Sequence, residues 1–295
     1  MRTLPTALAY VHEVARDGSI SAAAQTLHVS ASAISRQIGN LERSLGIAVF
    51  ERHPRGMIPT EAGRLLLAYI RRNAAEGDAL FREMRSAQSR RARIITVATV
   101  PAFSESLVPR AMAAFAATYP GVAFDMRVLP TADATRSVVE GEADVALAFE
   151  LGPQQDVRVD FSAPAPVHAA MARDHPLAGC ASVGLSEICD YPLVLSSRGT
   201  TQRALFDIAV QREALAPQVA LEADHISPSL AFVRGSSGIT FLAARAMPPE
   251  AEDIVLLPLD NPVLGQRSVQ IQTMVDRARP PAVTAFIEAL ARELT

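Results

Sequence analysis

Two sets of polar side chains in this sequence have types and spacing that could do chemistry. The first is Ser30, Ser32, Ser35, Arg36 and Gln37, gathered at the head of an apolar-periodic segment, with Arg52 and Arg55 following at the tip of a hairpin-like pattern. Hydroxyls, an amide and a guanidinium on a helix head laid in a DNA groove can pair with phosphate oxygens and base edges, and the fork of Arg36 matches the two acceptors of guanine. Arg52 and Arg55 suit a narrow minor groove, where negative potential concentrates. The plainer readings are an ion pair of Arg36 with Glu42 and a solvated hairpin tip. The second set is Thr99, Ser104, Thr131, Ser196, Ser197, Thr200 and Thr201, all at turns between strand-like and helix-like segments. Such hydroxyls, with unpaired first-turn amides, hold a small anion or polar ligand without burying a full charge. Ordinary N-caps and turn residues are the alternative. No GxSxG, HExxH, P-loop or GxGxxG motif occurs in a suitable context, which argues against an enzyme. Cys180 and Cys189 are the only cysteines and do not form a CxxC. The nearest histidines, His168 and His175, show no ligand spacing, so inert thiols, no metal and no cofactor are expected.

Charge is divided unevenly along the chain. Residues 1–93 hold 14 Arg against 8 Asp or Glu, a balance of +6, and the remainder holds 14 Arg against 23 acids, a balance of −9, together the net −3 of 295 residues. An N-terminal part that approaches a polyanion and a C-terminal part that does not would produce this division. Every cation is an Arg, which suits bidentate phosphate and guanine contacts, although codon bias gives the same result. The apolar content of 49% can fill a core in each of two or three domains. Charged residues from His12 to Asp17 interrupt the first apolar stretch, so no secretory leader is expected. No apolar run reaches membrane-spanning length, and a soluble cytoplasmic protein without a membrane partner is the reading.

The elements that would position the two sets follow from periodicity. Leu4, Leu8, Val11 and Ala15 lie on one helical face ending at Asp17 and Gly18, and Ser19 or Ser21 caps a short second helix to Leu27. His28 and Val29 turn the chain, Ser30 or Ser32 caps a third helix with the stripe Ile34, Ile38, Leu41 and Leu45, and Gly46 stops it. The segment from Ile47 reads as a small hairpin with a basic tip, a wing. From Thr60 to about Ser89 the sequence predicts one long helix with a seam at Gly63, Leu67, Ile70, Ala74, Gly77, Phe81 and Met84, stepping four and three alternately. That seam predicts a dimer, with Gly77 admitting close approach of two backbones. Beyond it come strands from Ile94, Val122 and Asp144, with helices over 104–119 and 132–141 between them, a βαβαβ run on a mostly parallel sheet. A second such unit contains APVHAAMA, YPLVLS, ALEAD and GITFLA. SVQIQTMV and a last helix over 281–294 return to the first unit. Two α/β lobes with ligand space in the cleft between them is the economical arrangement.

The string GSISAAAQTLHVSASAISRQIGNLERSLGIAVFERHPRGMIPTEAG, Gly18 to Gly63, resembles the LysR-type transcriptional regulators, with SRQI, LE, LG and TEAG in place. Looser matches continue at YPGV from Tyr119, GEADVAL from Gly141, DHPLA from Asp174 and YPLVL from Tyr191. The resemblance implies a multidomain chain: an all-α winged helix-turn-helix over 1–59, a linker and dimerisation helix over 60–91, and a periplasmic-binding-protein-like two-lobed effector domain over 92–295. Lobe I would comprise 92–164 and 265–295, and lobe II 165–264. It implies effector-modulated transcription, operator DNA as partner, a homodimer assembled into a dimer-of-dimers tetramer, and RNA polymerase as a further partner.

Within that resemblance Ser30, Ser32, Ser35, Arg36, Gln37, Arg52 and Arg55 are the DNA contacts, and Thr99, Ser104, Thr131, Phe149, Ser196, Ser197, Thr200 and Thr201 face the effector. The family usually has Gln-Pro where this chain has Ala31-Ser32, so a long amide able to pair with adenine is missing. Phe149 stands where some members place an Arg toward the ligand, which argues against a dicarboxylate bridging to that position. One branch of the family carries a peroxide-reactive thiol after the strand matching YPLVL, whereas Cys180 and Cys189 precede it, so redox sensing is not expected. An effector-independent architectural regulator and a solute-binding protein are the remaining alternatives.

Overall fold

A computed structural model of the chain describes residues 4–54, 56–89, 93–152, 154 and 156–295. Contacts divide it into two compact units, Met1–Arg93 with Asp276–Ala278, and Ile94–Val275 with Arg279–Thr295.

In the first unit, α1 (Thr6–Asp17) ends where Gly18 takes a left-handed φ of 72°. The hydroxyl of Ser19 accepts from the Ala22 amide and opens α2 (Ile20–Leu27). Ser30 caps α3 (Ala31–Leu45) through the Ala33 amide, and left-handed Gly46 stops it. Ile34 and Ile38 are buried, but Leu45 is exposed at the last turn, outside the expected stripe. β1 (Phe50–His53) and β2 (Gly56–Pro59) form the wing as an antiparallel pair. The wing is held against the α1–α2 corner, where the Met57 amide donates to the Gly18 carbonyl at 2.8 Å. A Cβ on Gly56, at φ 123°, would lie 2.3 Å from that same oxygen, so only glycine fits.

The long helix α4 runs Glu61–Ser89. Thr60 caps it from the Gly63 amide and donates to the Ala48 carbonyl, and a Cβ on Gly63 would meet the Val49 carbonyl at 2.0 Å. Here the first half of the expected dimer seam must be corrected, whereas Phe81 and Met84 of that seam stay exposed. Leu67 and Ile70 are buried at 4% and 0% in the core of this same unit, packed with Val11, Val14, Ile34 and Val49, and Ala74 is buried too. The α1–α3 bundle offers too little apolar surface to close on itself, so the first turns of α4 complete its core. Among the described residues the large apolar side chains left exposed on α4 are Leu65, Tyr69, Leu80, Phe81 and Met84, and Gly77 borders a groove shared with Leu4, Leu8 and Tyr69.

The second unit opens with β3 (Arg93–Thr99), α5 (Pro101–Ser104), α6 (Leu107–Thr118), β4 (Val122–Val128), α7 (Thr131–Val139), β5 (Val145–Glu150) and β6 (Val157–Pro164). The helix expected over 104–119 begins later, at Leu107, and a separate short helix, α5, precedes it. Pro109 has no N–H and would break a helix continuing from α5, whereas in the first turn of α6 no partner is needed. A second group follows with β7 (His168–Ala172), α8 (Leu185–Ile188), β8 (Leu193–Leu195), α9 (Thr201–Arg212), β9 (Val219–Glu222), α10 (Ile226–Arg234), β10 (Thr240–Leu242) and β11 (Ile254–Pro258). The chain then returns through β12 (Ser268–Met274) and α11 (Pro281–Glu293).

Lobe I is a five-stranded sheet in the order β4-β3-β5-β12-β6, with β3 parallel to β5 and β12 antiparallel to both β5 and β6. β3, β5 and β6 thus run the same way, as expected of a mostly parallel sheet, and the returning β12 enters it reversed. Phe115, Phe124 and Phe286 interlock to fix α6 and α11 on it. Lobe II carries the antiparallel set β10-β7-β11 and the parallel pair β8-β9, bridged from Leu193 to Ile239. Two segments connect the lobes and hydrogen-bond to each other, Ala165 N to Arg267 O at 2.8 Å and Val167 N to Leu264 O at 3.0 Å. Among the described residues no helix is long and apolar enough to cross a membrane.

Truncating Leu67 to Ala should cost about 2–5 kcal/mol through the lost contacts and the cavity left behind. Denaturation of the full chain followed by circular dichroism should show that loss with the sedimentation mass unchanged; a lowered mass at unchanged stability would return Leu67 to an interface.

Candidate functional site

On the first unit, Ser32, Ser35, Arg52, His53, Gly56 and Met57 line one shallow hollow between the head of α3 and the wing. Ser30 is both the cap of α3 and a neighbour of Ser32, their hydroxyl oxygens 3.1 Å apart. Arg36 and Arg52 are exposed, and among the described residues neither has an ion-pair or hydrogen-bond partner in the protein; Gln37 is half-buried and likewise unpartnered. The ion pair of Arg36 with Glu42 does not form. Instead the Glu42 carboxylate accepts from the Val49 and Phe50 amides at 2.8 and 3.3 Å and fixes the entry to the wing. Arg55 lies outside the described residues.

The second unit holds a cleft of about 600 Å³ between its lobes. Lobe I contributes Thr131 and Phe149, and lobe II contributes Ser196, Ser197, Thr200 and Thr201, so six of the expected residues meet in one space. Thr99 and Ser104 do not join them. Thr99 is wholly buried, with its hydroxyl toward the Val100 carbonyl, and the buried Ser104 donates to the Pro101 carbonyl at 2.8 Å. Their helix starts two residues past Thr99 and turns Ser104 inward, which the strand-to-helix pattern did not reveal.

The hydroxyl turn before α9 has its own scaffold. Thr200 Oγ1 accepts from the Arg203 amide and lies 2.9 Å from Ser196 Oγ, so its capacity is spent on the cap. The side-chain hydroxyls of Ser197 and Thr201, with that of Thr131 across the cleft, have no protein partner among the described residues and are free for a ligand. Arg203, buried beneath the turn, donates to Ser196 O at 3.2 Å, Glu222 at 2.8 Å and Asp207 at 2.8 Å. The Glu222 hydrogen bond, set against burial and helped by Asp207, raises its pKa. Arg203→Ala should cost about 1–3 kcal/mol, the range for charge-assisted bonds discounted because both carboxylates are half-exposed. Calorimetric melting of the full chain checks this, and an unchanged transition would remove Arg203 from the scaffold.

Sequence reasoning missed Arg267. It stands at the start of β12 on a lobe-connecting segment, lines the cleft, and is 3% exposed. Its guanidinium carbon sits 3.8 Å from the centroid of the Phe149 ring, its Nε donates to the Ala165 carbonyl at 3.0 Å, and its Nη2 is buried with no partner. Burial pushes its pKa down to about 9, and no neighbouring charge offsets that. It still carries its charge at neutral pH. The signal available in the sequence was an Arg directly ahead of the alternating strand SVQIQTM. At the cleft, Glu105 at the end of α5 reaches lobe II, accepting from the Ser227 hydroxyl and lying 3.6 Å from the His225 ring.

Cys180 is exposed and Cys189 half-buried. Burial, with Asp190 and Glu213 nearby, pushes the Cys189 thiol up, the opposite of the electropositive setting a reactive thiolate needs. No metal-holding cluster occurs among the described residues.

Residues 5–64 match the family described as bacterial regulatory helix-turn-helix protein, lysR family, and residues 88–295 match the LysR substrate binding domain. A regulator of Burkholderia cenocepacia, SsuR, is 27% identical over 264 residues, covering 88% of this chain and 85% of that protein. YfeR of Shigella flexneri, an uncharacterized HTH-type transcriptional regulator, is 26% identical over 94% of this chain and 88% of its own length. Among solved structures, the LysR-family regulator HinK of Pseudomonas aeruginosa superposes with a TM-score of 0.56 at 20% identity, over 98% of this chain and 97% of that one. Full-length CbnR in complex with its target DNA gives 0.54 at 20% identity, over 97% and 98%.

Proposed function

This chain belongs to the LysR family of bacterial transcriptional regulators, and we propose that it reads its operator through the head of α3, with Arg36 as the principal base contact. The observation that carries this is the exposed Arg36 fork, free of any protein partner among the described residues, on the same helix head as Ser32 and Ser35, with Arg52 of the wing bordering their hollow. A helix head in the major groove presents such side chains to base edges, while Ser30 and the wing suit phosphate and minor-groove contacts. Arg36→Ala should weaken operator binding by about 1–3 kcal/mol, well beyond the loss on random DNA. Fluorescence anisotropy on both DNAs at one salt concentration measures it. Equal losses on both would make Arg36 a phosphate contact.

The cleft of the second unit is read as the effector site, since its enclosed volume and free hydroxyls of Ser197, Thr201 and Thr131 suit a small polar molecule. An effector-independent regulator would show no saturable binding there. Assembly is assigned to the exposed α4 stripe of Leu65, Tyr69, Leu80, Phe81 and Met84, with a homodimer as the unit and a dimer of dimers as the complete regulator. In this reading the protein works in the cytoplasm beside RNA polymerase and catalyses no reaction. Replacing Leu80 and Met84 together by Glu should halve the sedimenting mass of the dimer without lowering the unfolding midpoint of the N-terminal unit; an unchanged mass would move the interface elsewhere.

A further inference from the structure

The cleft contains a charge that the protein leaves unanswered. Arg267 is buried, its Nη2 has no acceptor, and among the described residues no carboxylate forms an ion pair with it. Contrast it with Arg203 in the same unit, also buried but bonded to two carboxylates and a carbonyl. Arg267 has only the Phe149 ring on one side and the Ala165 carbonyl at Nε. A buried guanidinium without a counter-charge is unfavourable and persists where something outside the chain supplies the partner. The lowered pKa of Arg267 has burial as its sole cause, as expected for a cation awaiting its anion.

The rest of the lining defines the other half of the ligand. The ionisable groups lining the cleft besides Arg267 are Arg198, Asp224 and His225, all exposed, with the Glu105 carboxylate beside His225 at its edge, while Val100, Val128, Leu129 and Ile226 form an apolar wall. One buried cation beside an apolar wall matches one anionic group on an apolar body. We propose that Arg267 selects the effector, so that the cleft takes a small organic acid whose single acid group pairs with this guanidinium and whose apolar body lies along Val128, Leu129 and Ile226. The proposal rests on the cleft being the effector site. Arg267 lies on one lobe-connecting segment and bonds to the other through Ala165, so pairing fastens the acid to the junction of the lobes. Phe149 serves as a platform for the selecting cation, in place of a selecting side chain of its own. A dicarboxylate would bury a second charge against the apolar wall and is disfavoured.

The test is isothermal titration of the full-length protein with hexanoate, octanoate and cyclohexanecarboxylate, each beside its primary amide, in wild type, Arg267→Met and Arg267→Lys. At least one acid should bind saturably and about tenfold or more tighter than its amide, a difference of about 1.4 kcal/mol. Arg267→Met exchanges an unpaired buried charge for an apolar chain of similar length, so it should still fold, the lost bond to the Ala165 carbonyl being set against relief of the buried charge, and should lose the acid preference to within about threefold. Arg267→Lys, which keeps the charge but not the fork, should retain part of that preference. Amides binding as well as acids in wild type, a preference that survives in Arg267→Met, or no acid binding at all would each overturn the proposal. Thr201→Trp, which fills the cleft, separates the two claims. If amides bind the wild type and Thr201→Trp abolishes that binding, the cleft remains the effector site and the acid inference alone fails; if acids bind Thr201→Trp undiminished, the cleft assignment itself fails.

Discussion

The effector unit is organised around one buried cation at the place where its two lobes are joined. Arg267 pairs through its main chain with Ala165 of the other connecting segment, donates to the same residue through Nε, and lies over Phe149 of the central strand β5. Three parts of the unit therefore meet on one side chain, and the charge they surround is the least compensated group in the cleft. Arg203 shows what full compensation looks like a few residues from the same space: two carboxylates and a carbonyl, a raised pKa, and a turn fixed in shape. One arginine builds the site and the other leaves it incomplete.

The DNA-binding unit obeys a different constraint, a shortage of apolar surface. Three short helices and a two-stranded wing cannot bury enough by themselves, so Leu67 and Ile70 from the long helix are drawn into their core. Glycines at 56 and 63 permit the close approaches that this demands, with the carbonyls of Gly18 and Val49 where a Cβ would have to stand. The polar consequence is equally direct. Glu42, the natural partner for Arg36, is committed to the amides of Val49 and Phe50, and Arg36 is left facing outward.

Much of this was legible in the sequence where local chemistry decides the outcome. Caps at Ser19 and Ser30, stops at Gly18 and Gly46, the wing and the long helix are all written in residues within a few positions of where they act. So were the five cleft hydroxyl positions, because strand-to-helix turns face a cleft between α/β lobes, whereas Phe149 came only from the family resemblance. What escaped was set by tertiary contact. The α4 seam had a regular period, but period does not say whether a stripe faces a partner molecule or the chain's own core. β6 alternates Val157, Val159, Phe161 and Ala163, yet lies at a polar edge with Arg158 and Asp160 between them. Thr99 was misplaced because it ends β3 inside the core, and Ser104 because the short α5 turns its hydroxyl back onto the Pro101 carbonyl. Arg267 gave only the weak sign of an Arg directly ahead of an alternating strand, since its burial and lack of a partner arise from elements more than one hundred residues distant in sequence.

Placing a selecting charge at the lobe junction makes ligand recognition and the setting of the lobes a single event, because the group that reads the ligand is also bonded to both connecting segments. The most direct measurement is a crystal structure of the full chain with cyclohexanecarboxylate in the cleft. The account predicts a carboxylate oxygen about 3 Å from a terminal nitrogen of Arg267, with the ring against Leu129 and Ile226. A carboxylate seated instead on the turn from Ser196 to Thr201, with Arg267 still unpaired, would contradict it.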